Sequence, residues 1–197
     1  MQLDAAELRR RLARVQPPAS SVYGDDGAGR EEATAMPAAV LVPIIAHAEG
    51  LAVLFTRRTT QLKAHSGQVS FPGGRAEPDD ASPEHTALRE AAEEIGLPPA
   101  RVEVLGRLPE YYTRTGFRVT PVIGLIQPPL EVVPDAREVD EVFEVPLAFL
   151  LDPENHRRAS RQIGERMATY YVIEHHGRTI WGATAGMVVN LYRRLAA

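Results

Sequence analysis

Residues 73–97 read GGRAEPDDASPEHTALREAAEEIGL: a glycine pair, a polar loop and a short helix in one run. Ser82 before Pro83 marks a helix start, because Ser caps orphan N–H groups and proline fits the first turn. Gly96 followed by Pro98-Pro99 marks the stop. At about 100° per residue, Leu88, Ala91, Ala92 and Ile95 share one face, and Glu90, Glu93 and Glu94 lie nearly opposite.

Glu90 is one helical turn from both Glu93 and Glu94, and like charges at that spacing cost roughly 0.2–0.5 kcal/mol per pair. Arg89 reaches Glu93 at i+4 but cannot neutralise three acids. A solvated helix face is the plain reading. The context favours another, because the acids follow Phe71-Pro72-Gly73-Gly74, a turn that only a tight backbone needs. Mg²⁺ takes one or two carboxylates together with phosphate oxygens and keeps several waters. Carboxylates gathered beside a Gly-rich turn therefore suit a metal–diphosphate site.

The segment resembles the Nudix box, whose pattern is Gly, five residues, Glu, seven residues, then Arg-Glu-x-x-Glu-Glu-x-Gly. Residues 89–97, REAAEEIGL, match the second half. The first half departs: Gly74 is fifteen positions before Arg89, one more than the pattern, and Ala81 stands where Glu is usual. The loop offers Glu77, Asp79, Asp80 and Glu84 instead, with Asp80 the candidate for the missing Glu role. That lengthened loop resembles the coenzyme A pyrophosphatase branch. So does the upstream run Gly67-Gln68-Val69-Ser70-Phe71-Pro72-Gly73-Gly74, which matches the branch signature Gly-x-x-x-Phe-Pro-Gly-Gly. Lys63 stands where that branch more often has Arg, which exchanges a planar fork for a point charge. Further on, Trp181-Gly182-Ala183-Thr184-Ala185 resembles the family's lead-in to its final helix, read here as packing.

The 197 residues suffice for one domain with a sizeable core. The net charge of −4 argues against nucleic acid as the main partner. The absence of Cys excludes disulfides and thiolate chemistry. No apolar run approaches the ~20 residues of a membrane helix. The N-terminus lacks an apolar signal core and the C-terminus is not a Ser-Lys-Leu type address. A cytoplasmic protein with no membrane partner is the expectation.

Residues 3–15 read as an amphipathic helix capped by Asp4, with Glu7 three residues on and Leu8, Leu12 and Val15 as its stripe. Pro17-Pro18 ends it, and residues 24–35 are polar and Gly-rich, a linker. The division is thus a helix and linker over 1–36 and the main domain over 37–197. Residues 38–46 and 51–55 read as strands, then 102–108 and 117–126. Pro121 predicts an edge position or a bulge for the last of these. Residues 110–116 read as a turn whose Tyr111 or Tyr112 is offered for stacking on an adenine. Residues 135–146 form an acidic strand region, 147–151 a short helix, and Arg157, Arg158 and Arg161 a basic loop. Residues 168–173 and 179–181 are strands joined by a turn at His176-Gly177, and a last helix carries Ala185, Val188, Val189 and Tyr192 on one stripe.

The resemblance implies an α/β Nudix fold, a mixed β-sheet sandwiched between α-helices. It implies metal-dependent hydrolysis of the diphosphate of coenzyme A, giving 3′,5′-ADP and 4′-phosphopantetheine. Activity on ADP-ribose or NADH, or a nucleotide-binding domain without turnover, is the alternative. Glu90 and Glu94 are the implied Mg²⁺ or Mn²⁺ ligands. Glu93 is a third ligand, or a base reached through a second cation. Arg89 orients Glu93 or its neighbours by a charge-assisted hydrogen bond. Glu138 is a further candidate base with Glu141 as runner-up, and strand alternation does not decide which one faces the metal. Arg57, Arg58, Lys63 and Arg75, with His65 nearby, suit the phosphates, and the backbone of Gly73 and Gly74 turns beneath them. Oligomeric state, monomer or homodimer, stays open.

Overall fold

The computed structural model describes residues 3–14, 34–60, 67–163 and 166–196. Val15, Lys63, His65 and most of the 24–35 stretch lie outside the described residues. The first helix, α1 (Ala5–Ala13), starts as its sequence predicts: the Asp4 carboxylate accepts from the Glu7 N–H at 2.7 Å. Strands β1 (Met36–His47) and β2 (Gly50–Arg58) form an antiparallel pair. Two short strands hang from their far ends, β3 (Val69–Ser70) on β2 and β4 (Gly73–Arg75) on β1. Helix α2 (Pro83–Ile95) follows, capped by Ser82 and ended by Gly96 at φ 67°.

Next come β5 (Val102–Arg107), β6 (Tyr111–Tyr112) and β7 (Phe117–Ile126). β7 runs parallel to β1 along its whole length, and β8 (Val139–Pro146) lines the other side of β2. After α3 (Leu147–Leu150), strands β9 (Arg157–Ile163), β10 (Arg166–His175) and β11 (Arg178–Trp181) form a separate antiparallel sheet, and α4 (Gly182–Ala196) closes the chain. Among the described residues, eight strands make one mixed sheet and three make the other.

The large sheet is covered on both faces, and β1 shows the division. Val42 and Ile44 join a core with Leu8 and Leu12 of α1 and Val188 and Leu191 of α4. Leu41 and Ile45 join Ala87, Ala91 and Ile95 of α2 on the opposite face. This alternation is what a strand buried on both sides requires. Reciprocal contacts tie the first and last helices, with Arg194 Nη2 donating to Leu12 O at 2.8 Å.

Three expectations are corrected. β7 is an interior strand, not an edge, although it contains Pro121; the other alternative, an irregularity, does occur in its pairing, but on β5, between Val104 and Gly106. The Pro121 carbonyl accepts from Leu108 N–H, so its missing N–H points the same way, into the gap where β5 has ended and β6 has not begun. Arg157, Arg158 and Arg161 form β9 rather than a loop; as the outer strand of the small sheet it carries the charge that protects an exposed edge. Residues 111–112 are a strand, and Tyr111 is fully buried with its ring where a Gly186 side chain would lie. Tyr111 is a packed aromatic and not a stacking surface.

Candidate active site

The site is built from the glycine turn upward. Phe71 anchors the turn by stacking on Phe55 at 4.9 Å, and Pro72 O accepts from Leu41 N–H at 2.8 Å. Gly73 sits at φ 155°, and a Cβ there would fall 2.4 Å from Ala39 O. Its N–H donates to Glu94 Oε2 at 3.2 Å. At Gly74 a Cβ would lie 2.6 Å from the Glu90 carboxyl carbon. The glycine pair thus lets β4 pass close to both neighbours: the β1 backbone fills the space a Gly73 side chain would need, and the Glu90 carboxylate fills that of Gly74.

This arrangement alters the expected helix face. Glu94 is 4 % exposed and points inward between α2 and β4, while Glu93 stays in solvent with 60 % of its side chain exposed. On the helical wheel Glu94 lies next to Ala91, and the Gly73 N–H gives its carboxylate a donor on the buried side. Burial pushes the Glu94 carboxyl up to about 7, and the charges of Glu90 and Glu138 add to the effect. The Gly73 N–H and Arg58, whose Nη1 is 3.5 Å from Glu94 Oε1, oppose it. Burial also raises Glu90; Arg89 opposes this, and Glu93 and Glu138 reinforce it.

Arg89 is the hub of the opposite charge. Its Nη1 lies 3.0 Å from Glu90 Oε1 and 3.1 Å from Glu93 Oε2, so it orients both acids. Its Nη2 donates to Arg75 O at 3.2 Å, tying α2 to β4. Asp80 holds the other side of the guanidinium, with Oδ1 accepting from Nε at 3.2 Å and Oδ2 from Nη2 at 3.0 Å. The Asp80 carboxylate is 3 % exposed and also accepts from Thr86 Oγ1 and Glu77 N–H, each at 2.9 Å. These donors, Arg89 first, hold it well below the usual carboxylate range. Asp80 therefore supports Arg89 from behind and does not join the exposed acids. Asp80→Ala leaves Arg89 on Glu90 and Glu93 but takes the acceptor from Thr86 Oγ1 and Glu77 N–H, and should cost roughly 1–3 kcal/mol, the range for a buried donor left unsatisfied. Asp80→Asn, which keeps an acceptor for Thr86, should lose less. Urea unfolding of both variants checks this.

The two candidates at the start of β8 sit in different surroundings. Glu141 is clamped by Arg178 (Nε to Oε1, 3.1 Å) and Arg57 (3.2 Å), on the side of β8 that also carries Phe143. Glu138 lies before the strand begins. Its backbone is tied to the end of α2 through Asp135, which donates to Glu94 O and accepts from Glu138 N–H, and its charge adds to the upward push on Glu90 and Glu94. Arg58 reaches the site through Glu94, Arg57 faces Glu141, and Arg75 is exposed beside Gly74. The sequence reading passed over Asp135, whose peptide groups meet both α2 and Glu138. The only local signal was the Asp-x-Arg spacing of an Asx turn.

The residues fit a hard divalent cation by donor chemistry: half-buried carboxylate oxygens carrying negative charge that Arg89 and Arg58 offset only in part. Among the described residues no three His, Cys, Asp or Glu side chains form a ready-made cage. A cation would take Glu90 and Glu94 from Arg89 and the Gly73 N–H.

A family model described as the NUDIX domain matches residues 35–166. The chain belongs to the Nudix family. The Nudix hydrolase NudL of Pectobacterium atrosepticum, named as uncharacterized, is 44% identical over 156 residues, which are 78% of this chain and 80% of that protein. A NudL of Photorhabdus laumondii, also named as uncharacterized, is 41% identical over 160 residues, 80% of this chain and 84% of the relative. Among solved structures, the Nudix hydrolase RenU of M. smegmatis matches with a TM-score of 0.56 and 24% identity, over 82% of this chain and 86% of that one; that likeness bears on the fold. As a Nudix hydrolase the chain acts on phosphoric anhydrides, and hydrolases of this family generally use divalent metal ions. No helix among the described residues is long and apolar enough to cross a membrane.

Proposed function

We propose that this Nudix hydrolase cleaves the diphosphate bond of coenzyme A, giving 3′,5′-ADP and 4′-phosphopantetheine in the cytoplasm. The observation that carries the reading is the run Gly67-Gln68-Val69-Ser70-Phe71-Pro72-Gly73-Gly74, which resembles the coenzyme A branch and whose Gly73 N–H bonds the buried Glu94. Water adds to one phosphorus of the diphosphate, the bond from that phosphorus to the bridging oxygen breaks, and the departing phosphate leaves with the bridging oxygen.

Glu90 and Glu94 would hold Mg²⁺ or Mn²⁺, with Glu93 as a third ligand or as a base. The cation, when bound, neutralises the diphosphate and stabilises charge on the transferring phosphoryl group. Glu138 would be the further candidate to take the proton of the attacking water. Arg89 holds Glu90 and Glu93 in orientation. Arg57, Arg58, Lys63 and Arg75 would supply positive charge for a substrate that bears a 3′-phosphate besides its diphosphate, with the turn at Gly73 and Gly74 beneath them.

Incubation with coenzyme A and Mg²⁺ or Mn²⁺, followed by mass analysis, should yield the two named products in equal amounts. Intact coenzyme A in a preparation that turns over ADP-ribose or NADH would contradict the substrate assignment.

A further inference from the structure

The segment after Pro128-Pro129 is fastened to the end of α2 by main-chain hydrogen bonds. The last carbonyls of a helix have no partner within it. Here Val133 N–H donates to Ile95 O and Asp135 N–H to Glu94 O, each at 2.9 Å. Leu130 and Val132 pack against the core on the α2 side. The approach is close: a side chain at Gly96 would come within 3.3 Å of the Val133 backbone.

From there the chain turns directly to Glu138. The Asp135 carbonyl accepts from Glu138 N–H and Val139 N–H, both at 2.9 Å, and the Glu138 carbonyl accepts from Thr59 N–H at 2.9 Å. The two peptide groups of one residue thus join the backbone of Glu94 to the backbone of Glu138. The Asp135 side chain fixes the bend, because Oδ1 accepts from Arg137 N–H at 2.9 Å in an Asx turn. The Arg137 guanidinium closes on the same carboxylate, with Nη2 2.6 Å from Oδ2. Its side chain is 89 % exposed, and an ion pair so placed contributes little. The Asx turn is the part that shapes the backbone.

We propose that Asp135 is a positioning residue that sets Glu138 against the Glu94 end of α2, so that the two carboxylates act as one rigid unit. The inference rests on Glu138 serving as the base in the reaction proposed above. A positioned base works only within hydrogen-bond reach of its water, and the strap fixes that reach from the helix side.

The prediction is a pattern across variants. Asp135→Ala lowers kcat by roughly 10- to 100-fold, the effect of about an ångström of misplacement. KM stays within about twofold, because the binding groups are untouched. Asp135→Asn keeps the Oδ1 acceptor and restores kcat, and Arg137→Ala leaves kcat as it was. In a Glu138→Gln background Asp135→Ala has no further effect. A folded Asp135→Ala enzyme with unchanged kcat overturns the proposal, as does an Asp135→Asn enzyme as slow as Asp135→Ala. Full activity in Glu138→Gln overturns the base assignment and the strap with it. A slow Glu138→Gln beside a fully active Asp135→Ala overturns the strap alone. Native-state hydrogen exchange of the wild-type protein gives a test that needs no variant. The Glu138 amide should open together with the last amides of α2; exchange at Glu138 while those amides stay protected contradicts the unit.

Discussion

Glu94→Gln leaves a folded protein that has lost roughly 10²–10⁴-fold in kcat, the range that a positioned acid–base or ligand group supplies. The loss should coincide with a gain in stability at pH 8 without metal. The folded-state carboxyl titrates at about 7, against an ordinary 4.5. Between those values the folded protein holds a proton that the unfolded chain has released. Stability therefore falls as pH rises through that window, by on the order of 3 kcal/mol once both states are ionised. Gln removes the charge and keeps an oxygen for the Gly73 N–H. The metal-free variant should melt above the wild type at pH 8 and close to it at pH 4. Saturating Mn²⁺ should stabilise the wild type and not the variant. Thermal melts at two pH values with and without metal, beside a steady-state assay, check all of this.

The second large effect is expected from two adjacent glycines that fail in different ways. Gly73→Ala puts a Cβ 2.4 Å from Ala39 O and 2.5 Å from Val40 Cα, backbone atoms of β1 that cannot step aside, at a φ of 155°. The cost is on the order of 3 kcal/mol. In a chain of this size that lowers Tm by roughly 6–12 °C. The atoms nearest to an added Cβ in Gly74→Ala are those of the Glu90 carboxylate, the free end of a flexible side chain. It should melt near the wild type while losing metal affinity and activity, because Glu90 is displaced from its place over β4. Calorimetry and Mn²⁺ titration of the pair distinguish the two. Equal loss of stability in both would contradict the geometry.

Local chemistry carried much of the architecture into the sequence. Ser82 and Gly96 mark the ends of α2, Asp4 caps α1, and His176-Gly177 takes the positive φ values of its hairpin turn. Each of these depends on neighbours within a few residues. What could not be read depends on partners far along the chain. The wheel placed Glu94 on the polar side of α2, since nothing in a helix announces that the facing strand is glycine. Pro121 looked like an edge marker because the switch of its neighbour from β5 to β6 is a property of the sheet. Arg157, Arg158 and Arg161 looked like a loop because an outer strand tolerates the charges that a loop also carries. Glu138 and Glu141 were inseparable by alternation, because the pairs that Arg57 and Arg178 make with Glu141 come from elsewhere in the chain.

The most direct test is a crystal grown with Mn²⁺ and a non-hydrolysable diphosphate, read by anomalous scattering. A manganese peak within bonding distance of Glu90 and Glu94, with the diphosphate on its far side above Gly73 and Gly74, is the expected result. A map with no manganese at these carboxylates, Glu90 still on Arg89 and Glu94 still on the Gly73 N–H, would contradict the account.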